Sequence, residues 1–86
     1  MDRYYRFSQK AEKFTQEEVE LILQEVREIP GLKETEIIKD GEGYMYLGVC
    51  VEPDKLSEVM TKTVNICSRI SKCEISFAGV KEQFCW

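Results

Sequence analysis

Tyrosine and cysteine side chains are the groups of this chain best suited to chemistry, because the sequence contains no histidine. Tyr44, Tyr46 and Cys50 occupy even positions of one apolar stretch, and this spacing puts all three on one face of a β-strand. Phenol rings on such a face stack on nucleobases or pack against a protein partner. A thiol there becomes a nucleophile only when a nearby base or cation lowers its pKa, and Arg6 is the candidate that the sequence offers.

Spacings typical of catalytic and metal sites are missing from the sequence. The four cysteines do not form the C-x₂-C pairs of zinc and thioredoxin-like sites; they are Cys50, Cys67, Cys73 and Cys85. No carboxylate pair or Cys–base pair has a catalytic spacing, and there is no Gly-rich loop for phosphate. We therefore predict a protein that is not an enzyme and uses no metal or cofactor. Its cysteines are expected to be free thiols in a reducing compartment, with a disulfide pair as the alternative.

Length and composition predict one globular domain. A chain of 86 residues is too short for two separate cores, and its 43% hydrophobic and 33% charged residues are typical of a folded protein. No apolar run approaches the ~20 residues of a membrane span, and the charged N-terminus is unlike a signal peptide. We therefore expect a cytoplasmic protein without membrane association. The net charge of −4 is uneven, because residues 14–42 hold nine acidic side chains against three basic ones.

Alternating side chains predict four strands. The strand that carries the tyrosines has an apolar opposite face formed by Met45, Leu47, Val49 and Val51. Residues 3–8 form the first strand, and residues 33–39 form the second, followed by an Asp-Gly turn at residues 40–43. The register of the 33–51 hairpin is open: an odd loop length puts Ile37 on the core face and an even one puts Ile38 there, and we favour Ile37. In the fourth strand Cys73, Ile75 and Phe77 alternate with polar or small residues, and Gly79 ends it.

Two helices are predicted between these strands. Thr15 and Glu18 have the spacing of a capping box, so the first helix begins at Gln16, and it ends before Pro30-Gly31. The second begins after Glu52-Pro53-Asp54, since proline suits a first helical turn. Each has apolar residues at helical spacing: Val19, Ile22, Val26 and Ile29 in the first, and Leu56, Val59, Met60, Thr63, Cys67 and Ile70 in the second.

The resulting order is βαββαβ, and a weak internal repeat relates its two halves. Right-handed crossovers then predict an α+β, ferredoxin-like sandwich: a four-stranded antiparallel sheet in the order 4-1-3-2 with both helices on one face. One domain spans residues 1–86, with a core at 3–78 and a tail at 79–86. Because the first and third strands are central neighbours, four side chains cluster on the face without helices; they are Tyr4, Arg6, Tyr44 and Tyr46.

The stretch Gly43-Tyr44-Met45-Tyr46-Leu47 resembles the centre of the RNP1 motif of RNA-recognition-motif domains, which share this fold. The resemblance implies that the rings of Tyr44 and Tyr46 contact a sugar and a base of single-stranded RNA, with Tyr4 as the nearest second platform. Glu42 stands where that family has a basic residue.

Protein contact is the first functional interpretation, because aromatic patches on a surface most often mark protein partners. The partner is a second copy or a foreign protein, and the tail residues Phe84 and Trp86 are an alternative cover for the rings. In one version the protein inhibits a nucleic-acid-handling protein, with an acidic first-helix surface formed by Glu17, Glu18, Glu20, Glu25 and Glu28. Binding of single-stranded RNA or DNA by stacking is the second interpretation.

Overall fold

The fold is described over residues 3–80 from a computed structural model. Its elements are β1 (Arg3–Lys10), α1 (Gln16–Arg27), β2 (Leu32–Lys39), β3 (Tyr44–Val51), α2 (Leu56–Ser71) and β4 (Ile75–Val80). Short 3₁₀ helices at Ala11–Lys13 and Pro53–Lys55 lead into the two α-helices. The strands form one antiparallel sheet in the order β2-β3-β1-β4. The predicted α+β class, with a four-stranded antiparallel sheet and two helices, is therefore confirmed.

One hydrophobic core joins both helices to a single face of the sheet. Its fully buried members come from two strands, β1 and β3, from both helices and from the segment before β4; they include Phe7, Ile22, Val26, Leu47, Val49, Val59, Cys67 and Cys73. Since α1 and α2 also contact each other, both helices lie on the same side of the sheet. We call this side the helix face and the opposite side the outer face. Burying apolar side chains of this size is worth roughly 1.5–3 kcal/mol each, which makes the core the main stabilising feature.

The β2–β3 hairpin fixes the register that the sequence left open. Ile37 lies opposite Leu47 and packs against the core, whereas Ile38 lies opposite Tyr46 on the outer face. Asp40 closes a three-residue loop: its N–H donates to the carbonyl of Tyr44 at 3.0 Å. Gly43, with φ of 94°, adopts the left-handed backbone that such a loop requires, so the odd-length alternative is correct.

The predicted helix boundaries follow from local capping. The backbone N–H of Glu18 donates to the Thr15 hydroxyl at 3.1 Å, and the Glu18 carboxylate accepts from the Thr15 N–H at 2.8 Å, so the capping box is confirmed. The second helix begins as a 3₁₀ turn at Pro53 and becomes α-helical at Leu56. It ends at Lys72, which takes a left-handed conformation with φ of 53°. No helix within residues 3–80 is long and apolar enough to cross a bilayer.

The last strand departs from its predicted boundary. Gly79 does not end β4, because the strand continues to Val80 and Gly79 pairs with Tyr4 of β1. A bulge between the Tyr4 and Tyr5 pairs accommodates the extra residue. Phe77 lies opposite Tyr5 on the helix face, yet it is 57% exposed, and β4 is an edge strand of the sheet. The predicted tail contacts Phe84 and Trp86, and also Cys85, lie outside the described residues.

Candidate binding surface on the outer face

The strand pairing brings the predicted cluster together on the outer face. Arg6 of β1 lies opposite Tyr46 of β3, and Tyr4 lies opposite Gly48, so the side chains of β1 and β3 alternate in step. Tyr44 lies opposite Lys10, beyond an irregularity that gives β1 two extra residues between Arg6 and Lys10. This arrangement follows directly from β1 and β3 being central neighbours, as their alternation predicts.

Tyr44 is the centre of a stack with two cations. The guanidinium carbon of Arg6 lies 4.9 Å from the centroid of the Tyr44 ring, and the ammonium nitrogen of Lys10 lies 5.2 Å from it. Both distances are within the range of a cation–π contact, and both cationic side chains are exposed. The strand predicted from the sequence ended at residue 8, so this contact was not predicted. Because β1 extends to Lys10, the Lys10–Tyr44 pairing becomes part of the sheet.

Asp40 holds the other end of the cluster. One carboxylate oxygen accepts from the backbone N–H groups of Glu42 at 2.9 Å and Tyr44 at 3.0 Å, and the other accepts from the Tyr46 hydroxyl at 2.9 Å. Desolvation alone would raise the pKa of Asp40, but these hydrogen bonds outweigh it and lower the pKa below its ordinary value. Burial raises the pKa of Tyr46, and its hydrogen bond to the Asp40 carboxylate adds to the rise. The sequence marked Asp40 only as a turn residue.

Tyr4 belongs to the cluster but is only 5% exposed. Across the sheet from it, Gly48 carries no side chain, and Glu36 of β2 pairs with the far side of Gly48. The Tyr4 hydroxyl reaches the Glu36 carboxylate and hydrogen-bonds to it. Burial, followed by the charge of Glu36, raises the pKa of Tyr4. With so little of its surface exposed, Tyr4 is not an accessible contact residue.

Charges divide the outer face into two halves. Arg6 and Lys10 lie along β1, whereas Glu34, Glu36 and Asp40 lie along β2. The tyrosines of β3 lie between the two rows. A ligand that crosses the strands therefore meets cations first and carboxylates second. This division was not predicted, because it depends on which residues of β2 share a face with Tyr46.

Cys50 is half-buried and lies opposite Glu34 on the outer face. Arg6, the cation that the sequence offered to this thiol, instead lies opposite Tyr46 and against the ring of Tyr44. The strand pairing therefore places a carboxylate residue, and not Arg6, opposite Cys50. The other described cysteines are buried free thiols, and desolvation followed by the neighbouring Cys73 raises the pKa of Cys67 to about 12. Neither buried thiol is suited to nucleophilic chemistry.

The acidic residues of α1 do not form one uniform surface. Glu18 accepts from the Thr15 backbone in the capping box, and Glu20 accepts from the Gln16 side chain at 3.1 Å. Glu25 forms an ion pair with Arg69 of α2. These three carboxylates therefore have partners within the molecule, although Glu20 is exposed, as are Glu17 and Glu28. No cluster of three or more potential metal ligands occurs among residues 3–80.

The chain matches no protein-family model, and it has no significant match among curated proteins or solved structures.

Proposed function

We propose that this protein is a small, non-enzymatic binding module that contacts a protein partner through its outer face. The observation that supports this most directly is the stack of Arg6 and Lys10 on the Tyr44 ring, beside the hydrogen-bonded Tyr46. We further propose that its βαββαβ order belongs to the ferredoxin-like class, and that the protein is cytoplasmic.

The residue types of the stack favour a protein ligand. Tyrosine and arginine are enriched among the residues that contribute most to protein–protein affinity. Arg6 and Tyr44 are held in place before any ligand arrives, so less side-chain entropy is lost on binding. The exposed Arg6 and Lys10 favour a partner that presents carboxylates to β1. Glu34 favours a basic group of the partner over β2, on the other side of the tyrosines. A charge-divided surface therefore suits the mixed charges of a folded protein.

Affinity capture with matched variants tests this function. We expect Arg6→Ala and Tyr44→Ala to lose proteins that the wild type retains from a lysate, whereas Arg27→Ala, an exposed arginine of α1, retains them. For a purified partner, Arg6→Ala should weaken binding about 30-fold, the loss of about 2 kcal/mol that defines a hot spot. Identical sets of retained proteins from all four samples would refute a role of the outer face in protein contact.

Binding of single-stranded nucleic acid is a second candidate, favoured by the position of Tyr44 on a central strand with two cations against it. Stacking is worth ~1–3 kcal/mol per base, and Arg6 and Lys10 could each neutralise a phosphate. Glu34 and Glu36 oppose it, since a backbone that crosses the sheet would approach both carboxylates.

Anisotropy titration of labelled single-stranded RNA and DNA separates the two functions. If nucleic acid is the ligand, Lys10→Ala should weaken binding. It should also reduce the slope of the logarithm of the binding constant against the logarithm of the salt concentration by about one, the value for one lost phosphate contact. Absence of binding at tens of micromolar protein and low salt would remove this candidate and leave the protein ligand.

A further inference from the structure

We infer that the outer edge of β4 pairs antiparallel with the same edge of a second copy of this chain. The inference concerns the edge of the sheet, involves residues 75–78, and does not depend on the proposed function of the outer face. Three features of β4 favour this pairing: the direction of its backbone hydrogen-bonding groups, its lack of charge, and the apolar side chains that self-pairing would bring together.

The backbone of β4 presents hydrogen-bonding groups to its outer side. Within residues 3–80, β4 pairs with β1 alone. The Ser8 N–H donates to the Glu74 carbonyl at 2.9 Å, and the Arg6–Ser76 pair follows two residues later in the same ladder. Antiparallel ladders alternate, so the intervening Ile75 directs its N–H and C=O away from β1, and so does Phe77. These groups are positioned to accept another strand.

The two edges of the sheet differ in charge. The edge strand β2 carries charged side chains at half of its positions, namely Lys33, Glu34, Glu36 and Lys39. Charged side chains on an edge strand oppose its pairing with other chains. The sequence of β4, ISFAGV, has no charged residue over its whole length. In addition, Phe77 is 57% exposed at this edge. The β4 edge therefore lacks the charged side chains that oppose pairing at β2.

A second copy fits this edge better than other strands do. With the two-fold axis at Ser76, Ile75 of each copy lies opposite Phe77 of the other, and their outward backbone groups form hydrogen-bonded pairs. Each exposed Phe77 ring then meets a half-buried Ile75, and aromatic–β-branched pairs are favourable across strands. Pairing of β4 with a β2 edge would instead place uncharged residues against a charged strand, and it would generate an open chain of copies without closed symmetry.

Pairing at the edge also determines the shape of the dimer. The sheets of the two copies become one continuous sheet. The two-fold axis of the dimer is perpendicular to this sheet, so the helices of both copies lie on the same side of it. Both outer faces then lie on the other side, so a dimer presents two copies of the Arg6–Tyr44 stack to the same partner surface. A contact made by one short strand falls below the about 1,200 Å² of a stable interface, so the association is a weak one.

Sedimentation equilibrium of the full chain from about 1 µM to about 1 mM tests the inference. We expect reversible dimers, and Phe77→Lys should raise the dissociation constant at least about tenfold by placing two charges at the paired edge. Val64→Lys is the matched control: it replaces an apolar residue of α2 that is 41% exposed, and it should dimerise as the wild type does. Circular dichroism checks that both variants are folded.

A cross-link reports the register directly. Ser76 faces its own copy in a non-hydrogen-bonded pair, where Cα atoms are about 4.5 Å apart and a disulfide is permitted. Under mild oxidation, Ser76→Cys should form a covalent dimer that the wild-type cysteines do not form. A monomer at every concentration, a dimer that Phe77→Lys leaves unchanged, or equal cross-linking of wild type and Ser76→Cys would each overturn the proposed edge pairing.

Discussion

The two faces of β3 are stabilised by different interactions. On the helix face, Met45, Leu47 and Val49 are almost completely buried in the shared core and make apolar contacts. On the outer face, Tyr44 and Tyr46 are held by a cation stack and by a hydrogen bond to Asp40. Substitutions on the helix face should therefore affect stability through the side-chain volume that they remove. Substitutions on the outer face should affect it through charge and protonation. Four experiments test this distinction.

Removal of side-chain volume from the helix face should have the largest effect. Leu47→Ala should lower the free energy of unfolding by about 3 kcal/mol, because it leaves a cavity at a fully buried site. Urea denaturation followed by circular dichroism measures the change. Leu21→Ala is the matched control, since Leu21 is 42% exposed on α1 and should change stability by less than about 1 kcal/mol. Equal losses from both variants would contradict the location of the core.

Alkaline pH should weaken the outer face through Tyr4. Its pKa in the folded state is above the ordinary value of 10.0, so its contribution to stability is complete below that pH and is lost as pH rises through the folded pKa. Tyr4→Phe should lower the free energy of unfolding by about 1 kcal/mol near neutral pH, because the substitution removes the hydrogen bond to Glu36. The same variant should lose less stability than the wild type as the pH rises above 10.0, because it has no phenol to ionise at position 4. Urea denaturation of both proteins at a series of alkaline pH values measures the difference.

Glu36→Gln provides the second variant for this experiment. It keeps the Tyr4 ring and hydroxyl but removes the charge that adds to the pKa shift. The alkaline decline should then be smaller than in the wild type and should be complete at a lower pH, because the folded pKa of Tyr4 lies closer to its ordinary value. If Tyr4→Phe and the wild type decline identically, the link between Tyr4 and alkaline stability is wrong.

Acid pH should act on the outer face through Asp40. Its folded pKa is lowered, so its contribution to stability is present above the unfolded value of 3.8 and is lost as pH falls through the folded pKa. Asp40→Asn cannot lose a charge, so its stability should depend less on pH in this range. Thermal denaturation at a series of acid pH values measures the difference. An unchanged acid profile would show that Asp40 does not hold the β2–β3 turn.

Loss of the Tyr44 ring should have the smallest effect on stability. Tyr44→Leu removes cation–π contacts that are worth about 0.5–1 kcal/mol at an exposed site, so its thermal midpoint should be close to that of the wild type. Stability near the wild-type value combined with loss of partner binding would separate the two faces most clearly. A loss as large as that of Leu47→Ala would instead assign Tyr44 to the core.

Local signals in the sequence were sufficient for the elements and for one face of each strand. The capping box at Thr15 predicted the first residue of α1, because its hydrogen bonds join residues three positions apart. Alternation in residues 44–51 predicted which side chains of β3 enter the core, because successive side chains point to opposite faces. The sequence did not determine whether the hairpin loop has an odd or an even length, so two registers were open. The hydrogen bond between Asp40 and Tyr44 closes an odd-length loop, which puts Ile37 on the core face.

The sequence by itself determined the helices, the strands and the presence of tyrosines on one sheet face, since these depend on residues close together in the chain. The tertiary structure decided what each tyrosine contacts. It buried Tyr4 beside Glu36, placed Lys10 on the Tyr44 ring and left Phe77 exposed on an edge. These outcomes depend on strand neighbours that are distant in sequence, and on a bulge that shifts β4 by one residue. Alternation predicts which face a side chain occupies, but only the packed sheet determines what lies next to it there.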